Sequence, residues 1–151
     1  MIIWLTGQPG SGKTTLANHL IKHLKEKNKV INIDGDDLRL INKNIDYSKE
    51  GRIKNISSAI SIARFLAVKN HICILSIVAP YRFLRDELKE DFPFLEVYLH
   101  TSEIRGRENY FADDYEIPVD PNHLSIDTGK LTIEESINEI LNVCRKMATL
   151  A

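Results

Sequence analysis

The chain has 151 residues, with 20 lysines and arginines against 21 aspartates and glutamates, and 43% of its residues are hydrophobic, which is typical of one globular domain. A formal net charge of −1 disfavours a binder of nucleic-acid polymers, because such proteins gather a basic excess on one face. The N-terminal apolar run meets glycine at Gly7, so the sequence predicts neither a signal peptide nor a membrane span. We expect one cytoplasmic domain over residues 1–151, with buried, unpaired thiols at Cys73 and Cys144.

Five short apolar runs predict five β-strands, because helix-compatible or irregular segments separate each run from the next. The runs cover residues 2–6, 30–33, 72–78, 97–99 and 124–126. The third run is almost continuously apolar, which is typical of a strand buried on both faces of a parallel sheet.

Three amphipathic helices are predicted between and after these strands. The first covers residues 14–27, the second carries an apolar stripe over residues 53–67, and the third covers residues 133–141. Thr132 and Glu135 predict a capping box at the start of the third helix. The alternation of strands and helices predicts an α/β fold, a three-layer sandwich in which helices cover both faces of a five-stranded parallel sheet.

A phosphate-binding loop is predicted between the first strand and the first helix, where the sequence fits G-x-x-x-x-G-K-[ST]. Backbone N–H groups and the helix N-terminus bind phosphate oxygens, Lys13 reaches the β- and γ-phosphates, and the Thr14 hydroxyl ligates Mg²⁺. The expected ligands are therefore the phosphates of a nucleotide and Mg²⁺. The predicted cofactor-binding residues are Gly7, Gln8, Pro9, Gly10, Ser11, Gly12, Lys13, Thr14 and Thr15.

The acidic partner of this loop is expected after the second strand, since the third run ends in Ala79 and Pro80 without a carboxylate. Asp34 and Asp36 follow the second strand, so one can hold the metal while the other orients or deprotonates an attacking hydroxyl. Thr14 and Asp34 are the candidate metal-site residues, and Lys13, Asp34 and Asp36 the candidate catalytic residues. Which acid is the base stays open. The alternative is that Asp36 and Asp37 only cap the next helix.

These motifs, in this order, resemble the adenylylsulfate kinase family over nearly the whole chain. The resemblance rests on the phosphate loop, Asp34-Gly35-Asp36 with Arg39, Tyr47-Ser48, Arg52 with Asn55, and Ala79-Pro80-Tyr81-Arg82 with Arg85-Asp86. The resemblance implies a kinase of sulfate assimilation that transfers the γ-phosphate of MgATP to the 3′-hydroxyl of adenosine 5′-phosphosulfate.

The resemblance also implies a small nucleotide as the acceptor. The substrate-binding residues that it implies are Arg39, Tyr47, Arg52, Asn55, Val78, Ala79 and Pro80. Arginines suit phosphate and sulfate oxygens, and an aromatic ring suits a nucleobase, although Tyr47 could also be a half-buried loop residue. Arg82 and Arg85 are equally compatible with the site and with a structural role, and so are Thr128 and Gly129 beside the adenine of ATP.

The chain departs from the family in its lid, which is predicted to be short and to cover residues 105–118. No lysine or arginine occurs between Arg107 and His123, where the family carries a basic run. The acids of this part are Glu108, Asp113, Asp114, Glu116 and Asp120. A related acceptor, such as a cytidine diphosphate derivative, and a non-catalytic ATP-binding module therefore remain alternatives. A homodimer is the expected partner state.

Overall fold

The structure, a computed structural model, describes residues 1–150 and the side chains of residues 1–148. A five-stranded parallel sheet with the order β2-β3-β1-β4-β5 forms its centre. The strands are β1 (Ile2–Thr6), β2 (Val30–Asp34), β3 (Ile72–Ser76), β4 (Phe94–His100) and β5 (Leu124–Asp127). The predicted parallel sheet is thus confirmed.

Helices cover both faces of the sheet. They are α1 (Lys13–Leu24), α2 (Gly35–Asn42), α3 (Lys49–Val68), α4 (Arg82–Asp86) and α5 (Ile133–Leu150), and a 3₁₀ turn covers Glu108–Tyr110. Leu16 of α1 and Ile137 of α5 pack in one apolar core, while Ile56 of α3 and Leu84 of α4 pack in the other. The capping box also forms, because Thr132 and Glu135 each accept a hydrogen bond from the other's backbone N–H.

Strand β4 is longer than the predicted 97–99 because a buried charge is neutralised in its middle. Glu96 is only 4% exposed, and its carboxylate lies 3.5 Å from Arg85 Nε and 3.3 Å from Lys89 Nζ. These two cations lie between β3 and β4 in the chain, so the residue pattern of β4 alone could not show that a buried glutamate would be tolerated at position 96. An apolar-run criterion stops at such a residue.

Other element bounds also differ from the predictions. Strand β3 ends at Ser76 rather than at residue 78, because Ile77 and Val78 leave the sheet to line the cavity described below. Helix α1 ends at Leu24 rather than at residue 27, since the last three residues of the prediction are all charged and exposed. Helices α2 and α4 were not predicted because each is short, with one or two buried residues.

Cys73 and Cys144 are free thiols, as predicted, and burial raises the pKa of Cys73 to about 12 and that of Cys144 to about 11. Both thiols are therefore poor nucleophiles at neutral pH. Within residues 1–150, no helix combines the length and the apolar character that crossing a membrane requires.

Candidate active site

One cavity of about 860 Å³ lies where β1, β2 and β3 end, and most of the predicted site residues line it. The predicted residues in its wall are Pro9, Gly10, Gly12, Lys13, Thr14, Thr15, Asp34, Asp36, Arg39, Tyr47, Arg52, Asn55, Val78, Ala79 and Pro80. Gly7, Gln8 and Ser11 belong to the same loop but are not part of the wall. The wall also includes residues that the sequence did not single out for this site, among them Ser76, Arg105, Arg107 and Tyr110.

The phosphate loop needs glycine at two of its positions for different reasons. Gly12 has φ 105° and precedes α1, a left-handed conformation that L side chains rarely adopt. At Gly7, a Cβ atom would collide with the backbone carbonyl of Leu99 on β4. Gly7 therefore keeps the loop close to the sheet, and Gly12 turns it into the helix.

The Lys13 side chain is 9% exposed and curls back into the loop. Its Nζ donates to the carbonyl oxygens of Gly7 at 3.0 Å and Gln8 at 2.8 Å. Burial lowers the pKa of Lys13 to about 8, although the negative charges of Asp34 and Asp36 partly oppose the shift. The ammonium group is thus costly to keep charged in this loop until phosphate arrives.

A testable consequence is proton uptake when ATP binds. Phosphate charge should raise the pKa of Lys13 above its present value of about 8, so a fraction of a proton should be taken up at pH 8.5. Titration calorimetry in buffers of different ionisation enthalpy measures this number. Uptake should be close to zero at pH 6.5, where Lys13 is already charged, and equal uptake at both pH values would contradict the assignment.

Asp34 joins the end of β2 to the phosphate loop. Its Oδ1 accepts from the backbone N–H of Asp36 at 2.9 Å, which caps α2, and its Oδ2 accepts from Thr14 Oγ1 at 2.9 Å. Ser76 Oγ, on the neighbouring strand β3, also donates to Asp34 Oδ2 at 3.2 Å. The hydroxyl of Thr14 and the carboxylate of Asp34 are oxygen donors of the kind that Mg²⁺ prefers, so this pair fits the predicted metal.

Asp36 has a different environment from Asp34. It lies in the first turn of α2, is exposed, and lines the cavity with its side chain. The alternative in which Asp36 and Asp37 cap the helix is wrong, because the capping side chain is that of Asp34.

Arg39 and Tyr47 form a stacked pair at one end of the cavity. The Arg39 guanidinium carbon lies 3.9 Å from the centroid of the Tyr47 ring, which is a cation–π geometry. Arg39 Nη1 also donates to the carbonyl oxygens of Asn44 at 3.2 Å and Asp46 at 2.9 Å. Tyr47 is 59% exposed and lies in the loop between α2 and α3, so its contact with a nucleobase stays a prediction.

Arg52 and Asn55 lie one turn apart on α3 and both reach the cavity. The Arg52 side chain is 19% exposed, and its Nη1 lies 3.8 Å from Asp114 Oδ1. Asn55 is buried and donates from Nδ2 to the Gly35 carbonyl at 3.2 Å, while its Oδ1 has no partner within the described residues. A buried amide oxygen without a partner is costly unless a ligand donates to it.

Residues 105–118, which we call the strap, are fastened to the phosphate loop rather than free. Arg105 Nη1 donates to the Gly10 carbonyl at 2.9 Å, and its Nη2 donates to the Thr128 carbonyl at 3.1 Å. Gln8 Nε2 donates to the Ala112 carbonyl at 2.9 Å, and the Ala112 N–H donates to Gln8 Oε1, also at 2.9 Å. The strap is therefore one wall of the cavity.

The far end of the strap is attached to the ends of β1 and β3. The hydroxyls of Tyr115 and Thr6 are 2.7 Å apart, and the Glu116 N–H donates to the Pro80 carbonyl at 2.8 Å. Burial raises the pKa of Tyr115 well above its ordinary value, so its hydroxyl remains protonated. Both ends of the strap are thus held.

Arg82 and Arg85 support the site from behind and do not line it. Arg85 is fully buried and donates at 2.6 Å to the carbonyls of both Ala79 and Glu116, while Arg82 Nη2 lies 3.4 Å from Glu116 Oε2. Ala79 has φ 45°, which is strained for a residue with a side chain, so the hydrogen bond from Arg85 stabilises an unusual backbone in the cavity wall. Neither residue lines the cavity, and only Arg82 matches the alternative of a charge on a helix surface, because Arg85 is buried.

Thr128 and Gly129 follow β5, and Thr128 contacts the phosphate loop. Thr128 Oγ1 donates to the Ser11 carbonyl at 2.8 Å, and its side chain lies beside Gly12. Gly129 donates its N–H to Asp127 in the turn. Thr128 thus has a structural contact with the loop, and adenine contact stays a prediction for both residues.

Comparison with known proteins identifies the family. The family model described as adenylylsulphate kinase matches residues 1–109, which is more than half of the chain. The chain belongs to the adenylylsulphate kinase family. The family match ends inside the strap, the part in which the sequence departs from the family pattern.

Relatives in this family match almost the full length of the chain. The probable adenylyl-sulfate kinase of Aeropyrum pernix is 33% identical, over 96% of this chain and 92% of the relative. That of Pyrococcus abyssi is 31% identical, over 98% and 97%. The structure of the Mycobacterium tuberculosis APS kinase CysC in complex with AMPPNP and APS superposes with a TM-score of 0.81 at 23% identity, covering 95% of this chain and 96% of that one. The last comparison confirms the fold of the family.

Proposed function

We propose that this chain is an ATP-dependent kinase that phosphorylates the 3′-hydroxyl of adenosine 5′-phosphosulfate, giving 3′-phosphoadenosine 5′-phosphosulfate. One observation carries the proposal. The phosphate loop, the carboxylates of Asp34 and Asp36, and the side chains of Arg52, Asn55 and Tyr47 all line the same cavity. The names of the family relatives support the same acceptor.

Residues of the phosphate loop would hold the donor. Lys13 supplies a cation for the transferred phosphate, and the loop N–H groups and the start of α1 supply hydrogen-bond donors. Thr14 and Asp34 would hold Mg²⁺, as their 2.9 Å contact suggests. When bound, this ion neutralises phosphate charge.

The acceptor would lie between α2, α3 and the strap. Tyr47 offers an exposed ring for a nucleobase, Arg52 offers N–H donors for the 5′ anion, and the unpaired Asn55 Oδ1 offers an acceptor for a ligand N–H or hydroxyl. Asp36 is the better placed base, because Asp34 already accepts from Thr14 and Ser76 whereas Asp36 is exposed in the cavity. Asp36 would accept the hydroxyl proton as the hydroxyl oxygen attacks the γ-phosphorus of ATP and the bond from that phosphorus to the bridging oxygen breaks, releasing ADP.

A coupled ADP-release assay with MgATP tests the function. We expect ADP to form with adenosine 5′-phosphosulfate at a higher kcat/KM than with a cytidine diphosphate derivative or other 5′-modified nucleotides. A higher kcat/KM with a cytidine derivative would reject adenosine 5′-phosphosulfate as the acceptor but would still support a kinase. ATP binding without any ADP release would instead favour the non-catalytic module.

A second test separates the acceptor site from the donor site. Arg52→Ala should raise the KM of the acceptor by roughly 10- to 100-fold, as expected for the loss of a charged hydrogen bond, with little change in the KM of ATP. Arg64→Ala is a matched control, because Arg64 lies on the same helix but pairs with Glu87 and Asp91 away from the cavity. Equal changes in both KM values would contradict the assignment of Arg52.

We also propose that residues 1–151 act as one kinase domain, since the strands of one sheet and the helices and loops that connect them supply the cavity wall together. The homodimer and the cytoplasmic location stay predictions. Light scattering of the purified protein would measure the oligomeric state.

A further inference from the structure

The arginine that the proposed function assigns to the acceptor anion already has an internal anion as its partner. Arg52 Nη1 lies 3.8 Å from Asp114 Oδ1, and the Arg52 side chain is largely buried whereas that of Asp114 is half exposed. Any acceptor whose 5′ group pairs with Arg52 must therefore share it with Asp114 or displace the carboxylate.

The backbone of Asp114 is held on both sides. Ala112, two residues before it, exchanges two hydrogen bonds with Gln8, and Tyr115, the next residue, is joined through its hydroxyl to Thr6. Asp114 cannot leave by movement of the strap unless these contacts break. With these contacts intact and the loop in place, its carboxylate can leave Arg52 by rotation of its own side chain.

Two further residues bear on the pair of Arg52 and Asp114. Arg39, the other arginine there, is already engaged by the carbonyls of Asn44 and Asp46 and by the Tyr47 ring. Tyr81 is near both members of the pair, since burial and then the interaction with Asp114 raise the pKa of its hydroxyl while Arg52 opposes the shift. Arg52 is thus the more available cation, and Asp114 is its partner.

We propose that Asp114 is a specificity-determining residue that competes with the acceptor's 5′ anion for Arg52. The proposal rests on the proposed function of this site. Because the charges of Arg52 and Asp114 nearly cancel at a distance, the pair attracts a 5′ anion much less than Arg52 alone would. The affinity for the acceptor then depends mainly on base stacking and neutral hydrogen bonds, although Arg39 and Arg52 both lie in the acceptor region.

Calorimetry in the presence of MgADP tests the competition with two probes, adenosine 5′-phosphosulfate and adenosine. At low salt, Asp114→Asn should lower the dissociation constant of the phosphosulfate by about fivefold, the upper range for a partly exposed ion pair. The affinity for adenosine should stay unchanged, since adenosine has no 5′ anion. High salt should remove most of the difference.

Asp113→Asn is the matched control, because Asp113 is the exposed neighbour and no cation within the described residues forms an ion pair with it. It should change neither affinity by more than about twofold. Thermal midpoints of both variants show that each one folds.

The possible results distinguish competition for Arg52 from its absence. Equal or weaker phosphosulfate binding by Asp114→Asn, equal strengthening by Asp113→Asn, or no phosphosulfate binding by any variant would overturn the competition. Turnover of the unmodified protein tests the proposed function separately. Tighter binding by Asp114→Asn without phosphoryl transfer to adenosine 5′-phosphosulfate would support the competition while rejecting that acceptor.

Discussion

Lys13→Ala should lower the maximal rate of phosphoryl transfer by about 1000-fold or more, while the thermal midpoint of unfolding stays nearly unchanged. The loss is large because the ammonium group stabilises charge that develops on the transferred phosphate. The fold should survive because burial lowers the pKa of Lys13 to about 8, so keeping this group charged at neutral pH costs stability.

Turnover and thermal midpoint should be measured on the same preparations. Lys22→Ala is a suitable control, because Lys22 lies on the same helix α1 and is exposed. Retained turnover in Lys13→Ala would reject the kinase assignment. A collapsed midpoint would show that the bonds from Lys13 to Gly7 and Gln8 hold the fold together.

Asp34→Asn and Asp36→Asn should each lower kcat by about two orders of magnitude or more, with smaller effects on ATP affinity. The two variants should differ in their response to magnesium. Asp34→Asn should require a higher Mg²⁺ concentration for half-maximal rate, because Asp34 accepts from the proposed metal ligand Thr14. Asp36→Asn should not, because Thr14 donates its hydroxyl to Asp34 rather than to Asp36.

Asp37→Asn provides the comparison for both, since Asp37 lies next to Asp36 on α2 but is absent from the cavity wall. Its kcat should stay close to that of the unmodified protein. If Asp34→Asn and Asp36→Asn also turned over normally, another carboxylate would have to act in the reaction.

The sequence predicted those elements that depend on residues close together in the chain. The five strands follow from apolar runs, and the phosphate loop follows from glycine spacing next to a strand and a helix. The position of Asp34 beside Thr14 also followed, because the ends of parallel strands meet at one edge of the sheet.

The features that the sequence did not predict depend on contacts between residues far apart in the chain. Glu96 interrupts an apolar run but is neutralised by Arg85 and Lys89, which come from a different helix and turn. Likewise, nothing local indicates that Gln8 contacts Ala112, which lies 104 residues further along the chain. The strap was therefore predicted as a shortened lid, whereas its fastening to the loop could be seen only in three dimensions.

The paired hydrogen bonds between Gln8 and Ala112 connect the donor side of the cavity to its acceptor side. Gln8 belongs to the loop that would surround the donor phosphates, and Ala112 lies two residues before Asp114 beside the acceptor arginine. Any shift of the loop on binding ATP would therefore move the segment that carries the competing carboxylate, as long as these hydrogen bonds stay intact. Occupancy of one pocket should then alter affinity in the other, and by thermodynamic linkage the effect must be equal in both directions.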